Sequence, residues 1–455
     1  MQNSERISFA SKIGAILAAA GSAVGLGNVW RFPYETGNHG GAAFILIYLG
    51  CVFLFGLPIM IAEFTIGRRA KASTGEAFKV LAPKGGWKYV GYLGVLTGFL
   101  ILGYYSVVSG WTLEYIFQSA TGNLLGKSAD DFVTQFQNFS QNPWRPLIWL
   151  LAFVGMTHFI IVKGVQRGIE QASKIMMPML FIIIVLLAVC AVMLPGAMKG
   201  LEFLLKPDFS KITSDAVLGA MGQAFFSLSL GMGCLSTYAS YFSRDTRLGH
   251  TAVSVCVIGT CISVLSGFII FPAAFSVGIQ PDAGPSLIFI TLPNVFQQAF
   301  GSMPVFACIS AVLFYVLLAM AALTSTISLH EVPTAFLHEK FGFTRTRAAW
   351  IVTIGSFLIG VVSSLALGDW SHIKIAGMNL FDGLDFLTAK IMLPIGGMFV
   401  SIFVSWKLDR KMVRDEVTNW GTLRAPYYPL LIFILRYITP IGILLIFINE
   451  LGWLG

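Results

Sequence analysis

The chain has 455 residues, of which 56% are hydrophobic and only 11% charged, and its mean hydropathy is +0.77. A soluble globular domain carries about 25% charged residues, so that class is excluded. The formal net charge of +8 lies in short loops between apolar blocks rather than in one aromatic-interleaved patch, which argues for membrane topology as its cause and against a nucleic-acid partner.

Eleven apolar blocks are long enough to cross a bilayer as helices, at roughly 10–37, 41–69, 88–120, 146–163, 171–194, 213–241, 248–278, 302–338, 346–367, 377–406 and 426–453. Lipid cannot satisfy an open backbone, so the expected class is an all-α integral membrane protein. No soluble domain or long linker interrupts the blocks, and residues 1–455 read as one transmembrane domain. The N-terminus lacks the order of charges, short apolar core and cleavage site of a signal peptide. Cys51, Cys190, Cys234, Cys256, Cys261 and Cys308 all fall inside apolar blocks and read as packing residues rather than disulfides.

The first block contains Gly21-Ser22-Ala23-Val24-Gly25-Leu26-Gly27-Asn28, followed by Trp30-Arg31-Phe32-Pro33. Small residues alone would suit helix packing, but a cation in a span costs about 2.5–3.5 kcal/mol on insertion scales and has to face a cavity or an acid. Asp382 and Asp385 in the tenth block are the candidate acids. Glu63 in the second block is a candidate acceptor for N–H groups freed by a helix break.

The sixth block carries the second interruption, Ser227-Leu228-Ser229-Leu230-Gly231-Met232-Gly233. The first and sixth blocks would head two runs of five helices, over 10–194 and 213–406, with an eleventh helix at 426–453. Paired interruptions at corresponding places point to a transporter site near the bilayer midplane. Freed carbonyls can bind a cation and freed N–H groups a carboxylate, a division that suits a zwitterion carried with sodium.

Between the seventh and eighth blocks, Pro281 to Gln298 is too polar to span and reads as an extracellular lid. Lys390 lies deep in the tenth block, and Glu331 in the eighth needs a partner. His158, His250, His330 and His338 show no metal-ligand pattern. Most of the 30 Lys and Arg, including Arg68, Arg69, Arg167, Arg244, Arg345 and Arg410, fall on one side of the topology. Lys127, Arg145, Lys199, Lys206, Lys211 and Lys374 fall on the other. This bias places the N-terminus in the cytoplasm and, after eleven spans, the C-terminus outside a plasma (inner) membrane.

Gly21 through Pro33, with Gly40-Gly41-Ala42-Ala43-Phe44, closely resembles the opening signature of the neurotransmitter:sodium symporter family. The resemblance extends through Gly103-Tyr104-Tyr105, Trp111-Thr112-Leu113, Gly222 to Ser229, Thr237 to Tyr241, Leu323-Thr324-Ser325 and Asp382-Gly383-Leu384-Asp385. It implies a five-plus-five inverted repeat with unwound helices one and six, the architecture for which a member of this family is the standard example. The function it implies is sodium-coupled symport of small, hydrophobic or aromatic L-amino acids by alternating access. An amino-acid-binding membrane sensor of the same fold is the alternative, and uptake into vesicles separates the two. Neither a pore-loop repeat nor paired catalytic groups are present, so no enzyme is expected, and the oligomeric state is not specified.

By the same resemblance, Ala23, Leu26 and Gly27 meet the substrate backbone and Tyr105 its carboxylate. Ile101, Phe226, Ser229, Met232, Ser325 and Leu329 surround its side chain. Family members carrying monoamines have an aspartate where this chain has Gly25, which favours an amino acid. One sodium site matches Gly21, Val24, Ala321, Thr324 and Ser325. The other matches Ala23, Asn28 and Ser227, with Gly259 standing where the family usually has an asparagine. A chloride site matches Tyr48, Gln223, Ser227 and Ser263. The extracellular gate matches Arg31 with Asp385, and the cytoplasmic gate Arg6 with Glu339, helped by Tyr241. Gly168 and Pro178 resemble a motif that lets the fifth helix unwind at its cytoplasmic end.

Overall fold

The computed structural model describes residues 8–278, 287–300 and 303–450. Among them, nine helices are long and apolar enough to cross a membrane, and the pair Lys12–Ala23 and Gly27–Asn38, bent by 56°, makes a tenth. The eleventh is the sixth span in chain order. Its halves, Ser214–Ser227 and Cys234–Ala239, are each too short to span alone. The breaks therefore stand in the first and sixth places.

Most span boundaries follow the apolar blocks closely, the third running Lys88–Ala120. The fifth differs. It begins six residues earlier than its apolar block, with a π-helical turn at Val165–Glu170 that continues into Gln171–Val192. Gln166, Arg167 and Glu170 make this turn polar and hid it from a hydropathy reading. Past residue 286, the stretch expected as a lid forms a π-helical turn, Leu287–Thr291, and a helix, Leu292–Phe300. Ile288, Phe289 and Leu292 are fully buried, and Phe289 stacks on Tyr315 with centroids 6.2 Å apart, so this part is packed into the core. Residues 281–286 lie outside the described residues.

Two ion pairs, each with a buried carboxylate, tie neighbouring elements together. Arg68, at the end of the second span, meets Glu416 at 2.6 Å and Asn419 at 3.1 Å, fixing the short helix Arg410–Val417 between the tenth and eleventh spans. Glu114 in the third span accepts from Arg145 at 2.6 Å, where the fourth span begins. Both carboxylates are buried and face an arginine, as a low-dielectric interior requires. The Lys12–Ala23 helix, carrying the first break at its end, packs on Leu248–Ser276, Pro304–Phe341 and Gln171–Val192. These surrounding helices supply the polar groups that the break meets.

Candidate substrate and ion site

The first helix ends when Val24 turns extended, φ −103° and ψ 107°, and its N–H makes the last helical bond to Ala20 at 2.8 Å. Its carbonyl is thereby released from the helical ladder. It accepts from the hydroxyls of Thr324 and Ser325, both at 3.2 Å, and Thr324 also donates to the Ala321 carbonyl at 2.9 Å. Gly21 stands against the same threonine, since a Cβ there would lie 3.2 Å from Thr324 Cβ. Neutral oxygens from two helices thus converge on one point, the ligand type that hard cations take.

Asn28 lies just past the break. Its Oδ1 accepts from Gly25 N–H at 3.1 Å, and its Nδ2 donates to Ser263 at 3.0 Å and to the Gly259 carbonyl at 3.3 Å. A Cβ on Gly259 would meet only ordinary van der Waals contacts, with Leu228 at 3.7 Å, the Ala23 carbonyl at 3.9 Å and Asn28 at 4.0 Å. The space a side chain would enter at position 259 therefore borders the Ala23 carbonyl and the Asn28 amide nitrogen. Next to it, Tyr48 and Ser227 hydroxyls are 3.0 Å apart, and Gln223 donates to the Gly27 carbonyl at 3.0 Å. All of these groups are buried, and Gln223 Oε1 has no hydrogen-bond partner among the described residues.

The sixth span unwinds with positive φ at Ser229 (54°), Gly231 (82°) and Gly233 (79°). Glu63 collects two freed donors, Gly231 N–H at 2.7 Å and Ser236 N–H at 3.3 Å. Gly231 also lets the break approach the tenth span, where a Cβ would strike the Leu393 carbonyl at 2.5 Å. The Ser229 hydroxyl donates to the Ser22 carbonyl at 2.6 Å, joining the two breaks.

Between them lies a narrow cavity whose walls include Ala23, Gly27, Ile101, Tyr105, Phe226, Ser229, Met232, Ser325 and Leu329. Leu26 contributes its N–H, which donates to the Tyr105 hydroxyl at 3.0 Å. Ser22 and Cys234 also line the cavity, and nothing in their residue type had set them apart. A Cβ at Gly25 would lie 2.6 Å from Ser325 Oγ and 3.0 Å from Tyr105 Oη. An acidic side chain at that position would have to displace both hydroxyls.

The charged residues assigned to gates are arranged differently from the expectation. Arg31 meets Glu35, one helical turn on, at 3.5 Å and lies over the Phe226 ring at 5.0 Å. Asp385 accepts from Tyr104 at 3.0 Å and makes no ion pair with Arg31. On the opposite side, Arg6 falls outside the described residues, and Glu339 accepts from Ser73 N–H at 2.6 Å. Tyr241 donates to Glu331 at 2.6 Å, and Arg345 grips that carboxylate through both terminal nitrogens at 3.0 and 2.6 Å. Glu331 has its partner in the ninth span. Lys390 lines a second cavity with Arg31, Phe225 and Phe226.

The sequence profile of the sodium:neurotransmitter symporter family matches residues 6–145 and 127–453. An uncharacterized sodium-dependent transporter of Bacillus subtilis, YhdH, is 37% identical over 456 residues, covering all of both chains. An uncharacterized sodium-dependent transporter of Haemophilus influenzae is 36% identical over 462 residues, 99% of each. The crystal structure of MhsT in complex with L-phenylalanine is 43% identical, with a TM-score of 0.89 over 98% of this chain and 100% of that one. The protein, with its eleven spans in a five-plus-five inverted repeat, is a sodium-dependent transporter and not an enzyme, and it belongs to the sodium:neurotransmitter symporter family.

Proposed function

We propose that the chain is a symporter that carries a hydrophobic or aromatic L-amino acid with sodium across a plasma membrane, its N-terminus cytoplasmic and its C-terminus outside. The observation that carries this reading is the cavity between the breaks. It has an apolar end made by Ile101, Phe226, Met232 and Leu329, and a polar end made by Tyr105 and the main chain of the first break. A zwitterion fits that polarity, with its carboxylate at Tyr105 and the N–H groups near Leu26. The absence of space for an acid at Gly25 favours a substrate that brings its own carboxylate.

Sodium is assigned to the Val24, Ala321, Thr324 and Ser325 oxygens, with Gly21 beside them. When the ion enters, the two hydroxyl protons turn away from the Val24 carbonyl. A second ion is assigned beside Ala23, Asn28 and Ser227, with one side-chain ligand fewer because position 259 is glycine. Chloride is assigned to the Tyr48, Gln223, Ser227 and Ser263 cluster, whose hydroxyls can donate to an anion. Gating is assigned to Arg31 with Asp385 and to Arg6 with Glu339 and Tyr241, pairs that form and break as access alternates.

The test is uptake into proteoliposomes of a panel of radiolabelled amino acids, with sodium and chloride replaced separately. Sodium-driven accumulation of leucine-like to tryptophan-like substrates is expected, with chloride stimulation. Failure of every amino acid to accumulate, or binding without accumulation, sinks the reading. Uptake unchanged in gluconate removes chloride alone.

A further inference from the structure

The tenth span, Leu380–Lys407, and the eleventh, Tyr428–Ile448, meet through two π-helical turns, Phe403–Lys407 and Ile434–Ile438. The Ser401 hydroxyl donates to the Leu435 carbonyl at 2.5 Å and fixes the spans against each other. Arg436, the next residue, therefore stands level with the last turn of the tenth span. Its Nη2 donates at 3.0 Å to the Ser405 carbonyl, one of the last four in that helix, which have no acceptor role left in their own ladder. The Trp406 indole N–H donates to the Arg436 carbonyl at 3.2 Å, and the guanidinium carbon lies 4.3 Å from the centre of the indole ring. The side chain is held in one place.

The protein does not balance its charge. Arg68, Arg145 and Arg345 each face a buried glutamate, whereas Arg436 makes no ion pair among the described residues, and its Nε has no hydrogen-bond partner there. Asp409, just past the tenth span, accepts from Lys411 N–H at 2.9 Å, and Glu416 is taken by Arg68. Stacking on an indole attracts a cation without neutralising it. Around the guanidinium the surface is exposed and aromatic: Trp406 is 56% exposed, and its ring meets that of the exposed Tyr437 edge-on at 5.9 Å. Lys407, beside Trp406, is exposed too. Tryptophan and tyrosine at the end of a span mark the level of the lipid headgroups, toward which arginine and lysine extend.

We propose that Arg436 is the centre of a binding site for the phosphate of an anionic phospholipid, with Lys407 as the second cation and the rings of Trp406 and Tyr437 against the glycerol and upper acyl chains. The phosphodiester supplies the counter-charge that the described residues lack, and a planar guanidinium matches its oxygens. A choline headgroup carries its own ammonium beside the phosphate, so the site selects lipids of net negative charge. In the orientation proposed above this level is the cytoplasmic leaflet, which holds anionic lipids. The bound lipid bridges the ends of the tenth and eleventh spans. The inference needs only that these two spans cross a bilayer and is independent of cargo and coupling ion.

The experiment titrates the purified full chain in detergent with phosphatidylglycerol or with phosphatidylcholine of the same acyl chains, counting bound lipid by native mass spectrometry. Thermal stability is measured in parallel. The parent is expected to prefer phosphatidylglycerol by about fivefold or more, and Arg436→Gln to lose that preference, because a charge-assisted set of bonds is removed. Arg436→Lys keeps the charge without the planar fork and is expected to fall between the two. A fall in the thermal stability of Arg436→Gln with its lipid preference unchanged overturns the site and leaves a helix cap. Equal losses of both lipids also overturn it, since that is the behaviour of ordinary boundary lipid. Displacement of phosphatidylglycerol by millimolar inorganic phosphate shows a free-anion site and overturns the lipid as its occupant. If Arg436→Gln does not fold, Trp406→Leu decides: it keeps the charge and removes the ring that holds it, and an unchanged preference for phosphatidylglycerol sinks the proposal.

Discussion

The Ser229 hydroxyl donates to the Ser22 carbonyl at 2.6 Å, across the gap between the two broken helices. Ser22 lies in the last turn of one helix, and Ser229 sits at φ 54° in the unwound stretch of the other. A left-handed conformation is costly for a residue with a side chain, and this bond helps to hold it.

Ser229→Ala is therefore expected to weaken substrate and sodium binding together. The net worth of such a bond is about 0.5–1.5 kcal/mol, equivalent to roughly two- to tenfold in affinity. Equilibrium binding of a radiolabelled amino acid at several sodium concentrations measures both. A loss confined to the substrate, with sodium affinity unchanged, would show that the bond shapes only the pocket wall.

Thr324 touches the candidate sodium oxygens without lining the substrate cavity, whereas Ser325 does both. Thr324→Ala should raise the half-saturating sodium concentration tenfold or more, with substrate affinity recovered at high sodium. Thr324→Ser keeps the hydroxyl and should stay near the parent value. Ser325→Ala should impair both affinities, and high sodium should not restore the substrate term. Sodium titrations of binding separate the three, and an innocuous Thr324→Ala removes this residue from the ion site.

Much of this arrangement was legible in the sequence. Gly21, Gly25 and Gly27 beside Arg31, and Gly231 and Gly233 after two serines, mark breaks because few other arrangements tolerate such residues in lipid. What was hidden were partners chosen by tertiary packing. Arg31 was expected to find an acid in the tenth span, yet its partner is Glu35, one turn away on its own helix. Glu331 needed a partner that only the packing of the eighth span on the ninth supplies, Arg345. Likewise, nothing local connects Glu170 with Ser11, 159 positions away in the chain, from whose N–H its carboxylate accepts. The hairpin Lys374–Ile375 with Met378–Asn379 was also missed, since its strands are too short to show alternation.

Glu35 holds Arg31 in the present arrangement, while Asp385 is held by Tyr104. Glu35→Gln removes the competitor and is expected to favour the Arg31 to Asp385 pair, slowing substrate association severalfold. Asp385→Asn should do the reverse and speed dissociation. Stopped-flow binding measures both rates. Equal effects of the two variants in the same direction would show that Arg31 does not exchange between these carboxylates.

Gly259 gives a gain-of-function prediction. The direction of its missing side chain runs toward the Ala23 carbonyl and Asn28, with no heavy atom closer than 3.7 Å to a Cβ placed there. Gly259→Asn can add an amide oxygen to the weaker candidate ion site without a backbone clash, so the half-saturating sodium concentration should fall and the cooperativity of the sodium titration should rise. Gly259→Asp places a fixed negative charge beside Tyr48 and Ser263, the groups assigned to chloride, and should abolish chloride stimulation while keeping sodium dependence. Gly259→Ala is the control, because alanine favours a helix over glycine by about 1 kcal/mol and supplies no ligand. If the alanine and asparagine variants titrate alike with sodium, the change comes from stiffening the seventh span and the added oxygen does not reach the ion.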